Sequence, residues 1–198
     1  MTRAKKIAAT FAIASALVAT MPGLANAGEK YVIHEDHTWV SFKISHAGWA
    51  NAHGTFRKVS GDISFDKENV SQSSVSVVID ATSLDTNSAP RDKHVSSPDF
   101  LNSEKFPEIT FESTKIEPTG ETTGLIYGNM TMVGVTREVV LDAQWNAETP
   151  LPWDASTIKT GFSASATIDG ADFGMNKLAE FGIGPEIHVT IDVEAIKQ

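Results

Sequence analysis

Apolar and polar positions alternate with a period of two along most of the chain. Val40, Phe42 and Ile44 alternate with Trp39, Ser41 and Lys43, and Ile63 and Phe65 with Asp62, Ser64 and Asp66. Val75, Val77 and Ile79 form a third such run, and Ile109 and Phe111 a fourth. Three longer runs follow: Val139 to Trp145, Phe162 to Ile168 and Ile187 to Val193. Side chains of a strand point alternately to its two faces, so each run predicts a β-strand with one apolar face. Frequent Val and Thr agree with that reading.

Turn-forming sequences separate the runs: Asp66-Lys67-Glu68-Asn69, Pro118-Thr119-Gly120, Gly134-Val135-Thr136 and Pro150-Leu151-Pro152. One segment departs from alternation. Between Asn87 and Leu101, Ser88-Ala89-Pro90 and Ser97-Pro98 each carry a capping residue and an early proline, which predicts one or two short helical turns. Many strands at short spacing with no long helix define an all-β, antiparallel sandwich or barrel. Glycines within predicted strands, such as Gly54, Gly61, Gly124 and Gly128, favour a barrel, because closing sheets need bends.

The first 27 residues follow a different logic. Arg3, Lys5 and Lys6 precede an uncharged apolar stretch, Ile7 to Met21, and Ala25-Asn26-Ala27 offers a cleavage site. That order predicts a cleavable secretory signal over 1–27, a periplasmic destination and a single folded domain over 28–198. The apolar stretch is short for a membrane span, so no stable membrane insertion is expected. Without those three cations, 13 of the 16 Lys+Arg residues remain against 25 Asp+Glu, a net charge of −12. Such a surface disfavours nucleic acid and anionic lipid headgroups as partners. Cysteine is absent, which excludes cysteine nucleophiles, thiolate metal sites and a lipoprotein anchor.

Several motifs occur in order along this domain. Tyr31-Val32-Ile33 leads to His37-Thr38-Trp39-Val40-Ser41-Phe42 and His46, then Gly54-Thr55-Phe56 and Gly61 to Asp66. Ile79 to Asn87 and Arg91-Asp92-Lys93-His94-Val95 come next, followed by Asp99-Phe100 and Lys105 to Phe111. Gly134 to Arg137 and Asp172-Phe173-Gly174-Met175 complete the series. Together they resemble the YceI family of bacterial envelope proteins. The resemblance implies an extended eight-stranded antiparallel lipocalin-like barrel with a short helical connection. It also implies a tunnel that binds, transports or stores an isoprenoid or other long apolar ligand. Three positions depart from the family pattern: His34, Asp169-Gly170-Ala171 and Ile183 to Glu186. The second lacks an arginine common in the family, which implies a neutral rather than an anionic headgroup.

Phe42, Ile44, Phe56, Ile63, Phe65, Val77, Ile79, Phe111, Phe162 and Ile168 are the expected lining. Period-two apolar residues also make dry, filled cores, and that alternative stands beside the tunnel. His46, Arg91, Asp92, His94, Phe173 and Met175 are expected at the entrance. For Arg91, Asp92 and His94 the competing reading is a local network that fixes the helical connection. His34, Asp36, His37 and His53 show no recognised ligand spacing, so no metal or other cofactor is expected. No G-x-S-x-G elbow or phosphate loop is present, and no enzymatic activity is expected. The rival functions are an enzyme acting on a lipid in the tunnel and a filled barrel that binds a partner. Trp39, Trp49 and Trp145 are expected outward, where they would cover the interface of a homodimer.

Overall fold

The structure, a computed structural model, describes residues 28–198. The signal expected over 1–27 lies outside the described residues. Strand β1 (Glu29–His46) runs the length of the molecule. Along one edge it pairs with β10 (Ile183–Lys197). Along the other it pairs with β3 (Val59–Phe65) near its start and β2 (Ala50–Phe56) near its end. β4 (Ser74–Asp80) and the short β5 (Leu84–Asp85) pair with β3 and β2 in turn. β6 (Glu108–Pro118), β7 (Thr123–Met132), β8 (Val135–Leu151) and β9 (Asp154–Asp169) continue the antiparallel order round to β10. β1, β3, β4 and β6 to β10 form a closed ring of eight strands, while β2 and β5 extend β3 and β4 at one end.

Two bulges explain how strands with imperfect alternation keep one face inward. In β1, Ile33 stands opposite Ala195 and Thr38 opposite Val193, so the four residues 34–37 face a single residue, Glu194. This insertion changes the parity: Tyr31 and Ile33 are buried before it, Thr38, Val40 and Ile44 after it. In β6 the register slips between Ser113 and Lys115. Burial accordingly moves from Ile109 and Phe111 to Ile116.

Two glycines have steric reasons. A Cβ on Gly61 would lie 2.1 Å from the Ser76 carbonyl oxygen, in backbone at φ +154°. On Gly128 it would lie 2.3 Å from Cζ of Phe111, whose ring occupies the space a side chain would take. The bare backbone therefore lets adjacent strands pack closely on a large aromatic ring.

One end of the barrel is filled. Helix α1 (Ala89–Val95) and the 3-10 turns Gly170–Phe173 and Asn176–Phe181 cross it. Phe100, Leu101, Phe173, Met175 and Leu178 there join the same buried cluster as Val40, Ile44, Phe56 and Ile168 of the barrel. The second helical start expected at Ser97-Pro98 forms turns instead. Phe100 N–H bonds to the Ser97 carbonyl at 3.0 Å, and the chain reverses at Asn102, whose φ is 47°.

Candidate functional site

The other half of the barrel is hollow. A cavity of about 200 Å³ lies between the strands, walled almost wholly by hydrocarbon. Every ring strand contributes: Ile33 and Val40 from β1, Val59, Ile63 and Phe65 from β3, Val75, Val77 and Ile79 from β4, and Phe111 and Ile116 from β6. Ile126 and Met130 of β7, Leu141, Ala143 and Trp145 of β8, Phe162 and Ala164 of β9, and Val189, Ile191 and Val193 of β10 complete the wall. The small residues Gly124, Ala143 and Ala164 leave volume that larger side chains would fill. The lining ends on exposed residues, Lys67, Ser74, Glu121, Thr122, Thr123 and Gln144, so the cavity opens there, away from α1.

Of the expected lining, Ile63, Phe65, Val77, Ile79, Phe111 and Phe162 meet at this cavity. Phe42, Ile44, Phe56 and Ile168 lie in the filled half instead. Phe42 packs against Phe56 with ring centroids 5.9 Å apart, and Ile44, Phe56 and Ile168 are buried in the core. The entrance expected around α1 needs correction, because that end is packed. Phe173, the last residue of one turn, is 1% exposed, and Met175, the cap of the next, 4%. His46 is exposed at the end of β1, edge-on to Trp49, rather than facing inward.

Arg91 and Asp92 form a local network. Asp92 Oδ1 accepts from the Thr86 N–H at 2.7 Å and from its hydroxyl at 2.5 Å. Arg91 Nε donates to Thr86 Oγ1 at 2.9 Å and Nη2 donates to the Thr86 carbonyl at 2.5 Å. His94 stands edge-on between Phe100 and Phe181, with centroids 5.1 and 5.0 Å away. These contacts tie α1 to β5 and to the turns; none reaches the cavity. Trp145 is a further correction. Its ring lies 5.3 Å from that of Phe65 and lines the cavity, whereas Trp39 and Trp49 are exposed.

A charged cluster with no local sequence signature stands at the open end. Buried Tyr31 places its hydroxyl 2.8 Å from Glu29 Oε2 and 2.5 Å from Glu148 Oε2. Lys67 Nζ lies 2.6 Å from Glu148 Oε1 and 3.3 Å from Glu29 Oε2, and Lys197 also donates to Glu29. The Lys197 hydrogen bond, then that of Tyr31, hold the Glu29 carboxyl down at about 2 against the opposing effect of burial. Burial foremost, then Glu148 and Glu29, push the Tyr31 phenol far above its ordinary range. The Glu148 hydrogen bond raises the Lys67 ammonium, against burial, and Glu29 adds to it. Lys67, the one cation lining the cavity among the described residues, is therefore already paired with two carboxylates. Only its spacing from other turn residues marks it in the sequence; its partners are 38 and 81 positions away.

A closed eight-stranded antiparallel barrel has an interior that side chains can fill or that can hold one small ligand; this one is packed at one end and hollow at the other. A family model described as YceI-like domain matches residues 31–195, and the chain belongs to that family. A protein of Azotobacter vinelandii named "UPF0312 protein" is 40% identical over 199 residues, covering 98% of this chain and 99% of its own. Among solved structures, a Campylobacter jejuni YceI protein has a TM-score of 0.68 at 29% identity, over 75% of this chain and 86% of its own. A domain from Saccharophagus degradans, described as polyisoprenoid-binding, has a TM-score of 0.63 at 16% identity, over 85% and 98%.

Proposed function

We propose that this protein encloses the tail of a long apolar lipid of the isoprenoid class, and carries or stores it in the periplasm without transforming it. The observation that carries this reading is the hydrocarbon-walled cavity open at one end. Its ionisable lining residues, among those described, are Lys67 and Glu121, both at the open end. No acid or base in the lining reaches a tail deeper in. The binding described for the Saccharophagus degradans domain, which shares this fold, supports the ligand class. The order of charge, apolar run and small residues over 1–27 supports the compartment.

Magnitudes support the tail as the source of affinity. Burying a CH₂ group contributes roughly 0.8 kcal/mol, so one five-carbon unit contributes about 3–4 kcal/mol before ordering costs. The cavity, at about 200 Å³, exceeds the roughly 150 Å³ apolar cavity that holds one benzene ring. It therefore takes a short stretch of tail as it stands. A longer tail needs the wall side chains to part, or extends from the open end. Because Lys67 is already paired, the rim offers no spare cation for a phosphate among the described lining residues, and a neutral headgroup fits it better.

Native mass spectrometry of protein made with its export signal, followed by solvent extraction, tests the reading. The expected result is one copurified isoprenoid per chain, in protein recovered from the periplasm. Lipid-free protein that takes up neither a polyprenol nor an isoprenoid quinone would overturn it.

A further inference from the structure

The bulge in β1 creates a second site on the barrel wall. Val193 lines the cavity, so its neighbour Glu194 lies on the opposite face of β10. The four residues of the bulge, which stand opposite Glu194 alone, bring His34 and His37 to that carboxylate. Their imidazoles stack with centroids 4.9 Å apart and planes 21° from parallel. His37 Nδ1 lies 3.3 Å from Glu194 Oε2, and one donor atom from each of the three residues lies within 4.8 Å of the others.

Fold requirements do not account for these side chains. A parity-shifting bulge needs extra residues, not imidazoles. Nδ1 of His34 is moreover buried with no hydrogen-bond partner among the described residues. Buried polar nitrogens seldom lack a partner, and a bound ion is one recognised reason for it. Two imidazole nitrogens and a carboxylate oxygen make a donor set suited to zinc or copper(II) rather than magnesium or calcium. Glu35 and Asp36 in the same bulge add negative charge that favours a cation.

We propose that His34, His37 and Glu194 bind one divalent transition-metal ion, zinc or copper(II), on the outer wall of the barrel. Metal–ligand distances of about 2.0–2.2 Å separate tetrahedral ligands by roughly 3.3–3.5 Å. The donors must therefore close by more than 1 Å, roughly, from their widest present spacing. His37 and Glu194, with side chains 50% and 39% exposed, are free to rotate that far. Three protein ligands leave a fourth position to water, as in exchangeable rather than structural sites. Lys159 is the built-in competitor: its Nζ lies 2.5 Å from the same Glu194 Oε2. The ion takes Oε1 or displaces that ammonium.

Isothermal titration of untagged protein with Zn²⁺, and electron paramagnetic resonance with Cu²⁺, test the site. The expected result is one saturable equivalent, with nitrogen hyperfine structure in the copper spectrum. His34→Ala and Glu194→Gln each weaken binding about tenfold or more. Lys159→Met tightens it, an outcome that scattered surface histidines would not produce. Circular dichroism confirms that each variant is folded, and the near-isosteric Glu194→Gln serves if His34→Ala is not. No saturable binding overturns the proposal. So does undiminished affinity in folded His34→Ala and Glu194→Gln, which would move the metal to His46, His53, His94 or His188. The site stands or falls independently of any lipid in the cavity.

Discussion

The hydroxyl of Tyr31 lies 2.5 Å from Oε2 of Glu148, a residue 117 positions away, and fastens the start of β1 to the end of β8. Tyr31 is fully buried and has one hydrogen to give to two carboxylates. Tyr31→Phe removes the donor and leaves Glu29 and Glu148 facing each other across a ring that cannot bond them. Hydrogen bonds to charged groups contribute about 1.5–3 kcal/mol, so urea titration should show the variant less stable by that amount. For a domain of this size the melting temperature should fall by roughly 3–12 °C.

The same cluster sets an acid limit. Glu29 titrates at about 2 when folded, below its ordinary value of 4.5. A depressed carboxylate stabilises the fold fully above the unfolded value, and that contribution is lost as pH falls through the folded one. Stability should therefore drop between about pH 4.5 and pH 2. Glu29→Gln should flatten this part of the profile in urea titrations at a series of pH values. A variant with the wild-type acid slope would show that other groups govern it.

Filling the cavity separates binding from folding. Ala164 lines the wall, so Ala164→Phe places a ring where a guest would lie. Overpacking costs about 1–3 kcal/mol, which a domain of typical stability survives. Folded Ala164→Phe protein should carry little or no extractable lipid. Wild-type lipid content in that variant would locate the guest elsewhere.

At the plugged end the expectation is the reverse. Asp92→Ala strips two hydrogen bonds from Thr86, which is 5% exposed. An unsatisfied buried group costs about 1–3 kcal/mol, so denaturation should come earlier. Extracted lipid should be unchanged. Loss of lipid from folded Asp92→Ala would restore Asp92 to the entrance.

Legibility followed the distance over which each feature is set. Strands with unbroken alternation, such as Phe162 to Ile168, show their inward face in the sequence, because period two is local. Strands with bulges do not. Ile33 and Ile116 face the cavity across parity shifts that only the partner strand reveals. The family motif around Arg91 and Asp92 is visible as a motif, but not that its polar side chains bond Thr86 and stand outside the cavity lining. The cluster of Lys67, Tyr31, Glu29 and Glu148 has no local signature, because strands far apart in sequence bring it together. His34 and His37 are close in the sequence, but Glu194 is distant in the chain and adjacent to them only across the seam that closes the barrel.

The stopper of α1 and the 3-10 turns closes one end of the hollow, so among the described residues its doorway is at the other end. Whatever slides in must back out past the same Lys67–Glu121 sill. On the proposed carrier reading, loading and unloading would compete for that threshold and could not proceed at once. A supplier and a recipient would have to take turns docking there, and the portion that enters first would be the last to leave.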